Sequence, residues 1–269
     1  MKMPIRPLLF FLIFLCMLVA GVAAAPTVAG LSSAAADTSG TPPQDAPAFI
    51  AEAKAAVAGS NWTSVLLITT RGLAWYPDNA DLLCLQGYSL RKMGQFQKSV
   101  DTVSRAIPLD PTAVRYANRG YGYLALGNNT AALADAETGI SLDANYTANY
   151  AVKALALSGM GRHAEALVAV DTALAQAPDS AHYWHVKGNV LSAQGDCPGA
   201  ITALEKSAEL DAEYVLPYPG FGSAGEDLAA ENASCDQPHA AATTAKSPSG
   251  WWIAVAGIAG AVMAIAIQR

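Results

Sequence analysis

Charge is scarce in this chain. Only 14% of its residues are Asp, Glu, Lys or Arg, and the basic ones gather nowhere into a run. With a net charge of −6, that excludes the basic patch that nucleic-acid binding needs. Histidine is rarer still, at four copies, which leaves few candidates for metal ligation or general-base chemistry. No G-x-S-x-G elbow occurs, and Cys84 has no histidine that a fold would bring near. Acidic pairs such as Glu226 and Asp227 sit in tail segments without a pocket. The expectation is a protein with no catalytic residues, no metal and no cofactor of its own.

Apolar residues are abundant, at 52%, and unevenly placed. They concentrate at the two ends and in alanine. Residues 1–24 have the three parts of a secretory signal: Lys2 and Arg6, an apolar run over 8–22, then small residues with cleavage expected after Ala24. An uncleaved anchor helix is the alternative. A lipid-attachment box is a poor fit, because bulky Leu15 precedes Cys16. Residues 251–267 carry no charge and read as a short transmembrane helix. Trp251 and Trp252 suit the outer interface and Arg269 the inner one. Both ends then agree on a repeat region facing outside the cytoplasmic membrane. Residues 25–45 and 240–250 are rich in Ala, Ser, Thr, Gly and Pro and read as flexible linkers.

The middle repeats. Ser60, Gly94, Gly127, Gly161 and Gly195 recur at intervals of 34, 33, 34 and 34 residues. Other columns share that register. Bulky Phe49, Leu83, Tyr116, Tyr150 and Trp184 open each unit, and small Ala53, Gly87, Gly120, Ala154 and Gly188 follow one turn later. After the turn come Val65, Ser99, Ala132, Ala166 and Ala200, then Gly72, Ala106, Gly139, Ala173 and Ser207. Pro77, Pro111 and Pro178 close three units. Small residues let two helix backbones approach, bulky ones fill the space between neighbours, and the mid-unit glycine ends the first helix.

Segments such as GYSLRKMGQFQKSVDTVSRAIPLDP and VKGNVLSAQGDCPGAITALEKSAELD carry these columns together, and they resemble tetratricopeptide repeats (TPR). The resemblance covers about 46–214. It departs from the usual pattern in placing Glu52, Gln86, Arg119, Lys153 and Lys187 where leucine is common, similar to a subtype with Arg-Gly or Lys-Gly there. It implies an all-α fold, a right-handed solenoid of about five helix pairs over 46–79, 80–112, 113–146, 147–180 and 181–214. Residues 215–239 would form a loop and a capping helix, with Ser223 as N-cap and Glu226 three residues on.

The resemblance also implies a function. The first helix of each unit lines a concave face, where Ile50, Lys54, Asp81, Tyr88, Arg91, Lys92, Tyr121, Leu124, Leu155, His182, His185 and Asn189 are expected to face a protein or peptide partner. This set does not match the family's carboxylate clamp. The expected role is an interaction scaffold outside the membrane. The alternatives are a structural envelope component, self-associating through Gly257 and Gly260 of the span, or an accessory subunit of an enzyme complex.

Three smaller features remain. Gly220 to Gly225 matches G-x-G-x-x-G but lacks the flanking strand and helix of a dinucleotide site, so it reads as a loop. Sequons at Asn61, Asn128, Asn145 and Asn232 all fall at turns or in the tail, which suits either a glycan or the ordinary preference of turns for asparagine. Cys197 and Cys235 would meet if the tail folds back, and the rival arrangement is two free thiols on a mobile tail.

Overall fold

The computed structural model describes residues 40–216 and 222–235. Contacts divide the chain into Met1–Pro43 and Gln44–Arg269, and every element named below belongs to the second unit. The expected signal (1–24), the linker at 240–250 and the span at 251–267 lie outside the described residues, as does most of the 25–45 linker. Among the described residues, no helix is long and apolar enough to cross a membrane.

The periodic columns form ten helices. They are α1 (Ala46–Ala58), α2 (Trp62–Trp75), α3 (Ala80–Lys92), α4 (Phe96–Ala106), α5 (Ala113–Ala125), α6 (Asn129–Leu142), α7 (Ala148–Gly159), α8 (His163–Gln176), α9 (Ala181–Gln194) and α10 (Cys197–Asp211). An eleventh, α11 (Ala224–Cys235), follows. The only extended pairing among the described residues is a single antiparallel bridge between Val215 and Ser223.

Helix starts are written in short polar side chains. Asp45, Asn61, Asn79, Asn128 and Asp196 each accept a backbone N–H three residues on, at 3.0–3.1 Å. Stops are written in glycine. Gly94, Gly127, Gly161 and Gly195 hold φ of 73–85°, and the amide one residue later reaches back five residues, as from Gln95 to the Leu90 carbonyl at 2.8 Å. Ser60 takes the same place in the first unit with φ 52°.

The pairs α1/α2 through α9/α10 stack, and each odd-numbered helix also touches the next odd-numbered one, which makes those helices the inner face. All five residues of the first small column are buried, as are all ten of the two columns after the turn. A Cβ on Gly120 would stand 2.7 Å from Val152 Cγ1, and one on Gly188 2.6 Å from Leu204 Cγ. Those two glycines are therefore required by close approach.

The polar column before the small residues has a use. Gln86, Lys153 and Lys187 reach back sixteen residues to Thr70, Glu137 and Asp171 on the preceding even helix, at 3.1, 3.2 and 2.8 Å. Arg119 instead grips Asp135 with two bonds of 2.7 and 2.8 Å, and Asp135 is itself buried.

The capping helix starts as expected. The Ser223 amide donates to Glu226 Oε2 at 2.8 Å, and the Glu226 amide to Ser223 Oγ at 3.3 Å. It runs to Cys235, which is therefore its last residue. Cys197 and Cys235 form a disulfide, with Cα atoms 5.9 Å apart, which removes the rival arrangement of two free thiols.

Candidate functional site

The inner face is built from α1, α3, α5, α7 and α9, and its centre is aromatic and cationic. The Arg91 guanidinium lies between the Tyr88 and Tyr121 rings, 5.1 Å from each centroid. Lys92 sits 5.5 Å over Trp62, whose ring meets Tyr88 edge-on at 5.4 Å. His182 is held on both sides: Nε2 is 2.8 Å from the Tyr121 hydroxyl and Nδ1 is 2.8 Å from the Tyr214 hydroxyl. Tyr183 bonds the Thr147 hydroxyl at 2.6 Å.

Burial sets the protonation of this cluster. It pushes His182 down to about 3, with His185, Arg91 and Lys92 adding to the effect. The imidazole is therefore neutral, with one N–H donor and one acceptor nitrogen. One of its two tyrosines donates to it and the other accepts from it. Burial also raises the phenols of Tyr121 and Tyr214, and lowers the proton affinity of Arg91 and Lys92.

Of the twelve expected groove residues, Ile50, Lys54, Tyr88, Lys92, Leu124, His182 and Asn189 keep accessible surface. Four do not. Arg91, Tyr121, Leu155 and His185 are 4, 5, 8 and 0% exposed. Arg91 is enclosed by the Tyr88 and Tyr121 rings, and the other three are covered by the chain after α10. Leu216, 2% exposed, joins the apolar cluster that holds Tyr121, Leu155 and Tyr183, and Tyr214 packs against the same cluster. His185 is covered by α11, where Asp227 Oδ2 accepts from its Nε2 at 2.8 Å. Asp81 is also reassigned. It binds Arg115 at 2.6 Å, and Arg115 holds Asp110 at 2.8 Å, so these charges lock α3 to α5.

Sequence reasoning missed Tyr214, Leu216 and Asp227. The signal was present in Tyr214-Val215-Leu216, a short run without charged residues after a helix end, which has to be buried somewhere.

The other candidates resolve locally. The amides of Gly222 and Ser223, which would have to meet a pyrophosphate, already bond Asp227 and Glu226. Glu231 lies with Cys197 and Cys235 inside 4.8 Å, but the disulfide consumes the thiolates a metal would take. Cys84 is buried, which pushes its thiol up, and it accepts from Asn118 Nδ2 at 3.4 Å. Two of the four sequon asparagines are engaged in capping: Asn61 and Asn128 accept helix amides through the side-chain oxygen.

No protein-family model and no curated protein matches the sequence. Solved structures do match its fold. A thermophilic TPR protein of Thermus thermophilus superposes with a TM-score of 0.58, at 16% identity over 70% of this chain and 97% of that one. MamA of Desulfovibrio magneticus RS-1 gives 0.51, at 17% identity over 64% and 97%. YrrB, described as a TPR protein with an unusual peptide-binding site, gives 0.47 at 17% identity over 64% and 90%. With the left-handed glycine stops, the stacked helix pairs and the Thermus neighbour, residues 46–211 have the fold of a tetratricopeptide-repeat solenoid.

Proposed function

We propose that this chain is an exported, membrane-tethered scaffold that binds a protein or peptide segment on its inner face and has no catalytic site of its own. The observation that carries the reading is the inner-face cluster in which accessible Tyr88 and Lys92 are backed by buried Arg91 and Tyr121 beside His182. Tyr88, Lys92, Leu124 and Asn189 remain accessible on that face. Two features support export: the signal read at 1–24, and the Cys197–Cys235 disulfide, a bond that persists in oxidising compartments. The charge-free run at 251–267 supports the tether, and the turn positions of Asn61, Asn128 and Asn145 support glycosylation, whereas Asn232 lies within α11.

The test uses the full chain in its native membrane. A photo-reactive residue replaces Tyr88 on the inner face in one variant and exposed Val168 in another. A discrete cross-linked partner from position 88 and none from position 168 is the expected result. Equal patterns from both positions remove the groove from the reading. Protease added to intact spheroplasts should digest the repeats, and protection until lysis would overturn the topology.

A further inference from the structure

The inner face holds a piece of this same chain, and that piece shows what the face recognises. After α10, the residues around Tyr214 run extended. Val215 pairs with Ser223, and the Tyr214 carbonyl accepts the Ala224 amide at 2.9 Å. In an extended segment alternate side chains share a face. Tyr214 and Leu216 accordingly point into the solenoid, while Val215 between them is 51% exposed. The phenol of Tyr214 bonds His182, and its ring lies 5.6 Å from that imidazole and 6.3 Å from His185. Leu216 sits in the apolar cluster with Tyr121 and Leu155.

Closing the end of the solenoid does not require this segment. That task falls to α11, through Asp227 on His185, Glu231 on Ser192 at 2.7 Å and the Cys197–Cys235 disulfide. All three anchors are on α9 and α10, the last repeat, which is the only one a cap must cover. Tyr214 reaches further. It shares His182 with Tyr121 of α5, two repeats away, and its phenol feels the charge of Arg91 on α3. The segment lies between two fixed points, Asp211 at the end of α10 and Ala224 at the start of α11. The Val215–Ser223 bridge and the Ala224 and Gly225 amides, bonded to the Tyr214 and Ala212 carbonyls, tie it to the start of α11, so its release breaks those bonds while the disulfide keeps the far end of α11 on the last repeat.

We infer that the groove reads an extended segment bearing a tyrosine and, two residues later, an aliphatic side chain, and that Tyr214–Leu216 is its built-in occupant. This rests on reading the inner face as a binding surface. A partner carries the same pattern and displaces the internal copy. Because the internal copy is tethered, its effective concentration is high, and only a partner with further contacts, at accessible Tyr88 and Lys92, competes.

The probe is a fluorescent peptide of the chain's own residues 212–216, Ala-Glu-Tyr-Val-Leu, titrated by anisotropy into the oxidised full chain. The double variant Tyr214→Ala/Leu216→Ala should bind it at least tenfold more tightly than the wild type. A peptide with phenylalanine in place of tyrosine should bind that variant several-fold more weakly. Equal affinity for wild type and variant, or no binding to a variant of unchanged helical content up to millimolar peptide, overturns the inference. If the double variant loses helix, Tyr214→Phe decides, since it keeps the packing and removes only the hydroxyl bond to His182. A several-fold gain in peptide affinity then supports the inference and no gain overturns it. Should the peptide fail while the cross-link from position 88 persists, the scaffold reading stands and the internal ligand falls. Loss of both removes the scaffold reading as well.

Discussion

Ser60 is the one described non-glycine residue with positive φ, at 52°, and four glycines hold the equivalent turn. A side chain in that region costs about 1–2 kcal/mol, partly offset by the extra freedom glycine has when unfolded. Ser60→Gly is expected to raise stability by about 0.5–1 kcal/mol, seen as a higher urea midpoint. An unchanged or lower midpoint would count against the turn geometry. His182 gives a pH effect of known sign. Its folded value, about 3, lies below the ordinary 6.5, so the unfolded chain takes a proton that the fold refuses. That contribution is complete above pH 6.5 and is lost as pH falls towards 3, by up to about 1.4 kcal/mol per unit. His182→Gln keeps a donor and an acceptor for the two tyrosines and does not titrate. It should flatten the fall in urea stability between about pH 6.5 and 4.5, and an unaltered slope would place the acid sensitivity elsewhere. At this scale the sequence was readable wherever a residue type answers a backbone demand, as at the glycine stops. It was silent on Arg91, Tyr121 and His185, because periodicity assigns a residue to a face and says nothing of what later covers that face.

At the scale of elements, close approach and cross-linking decide. In Gly120→Leu the first added carbon alone would meet Val152 Cγ1 at 2.7 Å, and the rest of the side chain has to enter the α5–α7 contact. Overpacking of this kind costs about 1–3 kcal/mol or more. The thermal midpoint should fall accordingly, and a Gly120→Leu protein as stable as the wild type would show that the α5–α7 contact is looser than the geometry indicates. For α11, the disulfide closes a sequence separation of 38 residues. The chain-entropy model gives that loop about 3–4 kcal/mol. In Cys197→Ser/Cys235→Ser the loss should be local: faster amide exchange in α11 and at the end of α10, with α5 to α8 unaltered. Uniform acceleration would mean that the cap stabilises the whole stack. The ten repeat helices and the capping box of α11 were legible because each follows from a recurrent local rule. The bridge was only an open alternative, since two cysteines at that distance in sequence meet only if the intervening chain turns back. Tyr214–Leu216 signalled only that it needs burial, being too short to show a period that would say against which face.

Across the whole molecule, the apolar core is not continuous in character. One cluster lies under α1 to α3, formed by Phe49, Ala53, Val65, Ile68 and Leu82. Another runs from Tyr121 and Ala132 through Val152, Leu157 and Val170 to Val190 and Leu216. The ground between them keeps buried Leu83, Val100 and Val103, which belong to neither cluster, and is threaded with polar links. Arg115 holds Asp81 and Asp110, Asn118 meets Cys84, and Ser99 bonds the Gly87 carbonyl at 2.7 Å. A stack of this kind is a chain of nearest-neighbour interfaces, and its cooperativity is set by the weakest of them. The second cluster has two further ties, the Tyr121–His182–Tyr214 bonds and the disulfide-held cap. The first has neither. Native-state hydrogen exchange should therefore divide the repeats, with amides of α1 and α2 opening at lower free energy than those of α5 to α9. Raising urea should merge the two groups only near the global transition. Ser60→Gly should slow exchange in α1 and α2 and leave α7 to α9 unaffected, because it stabilises only the weaker part. Exchange of all helices at a single free energy, with a single urea dependence, would show that the Arg115 lock transmits as much stability as an apolar interface does.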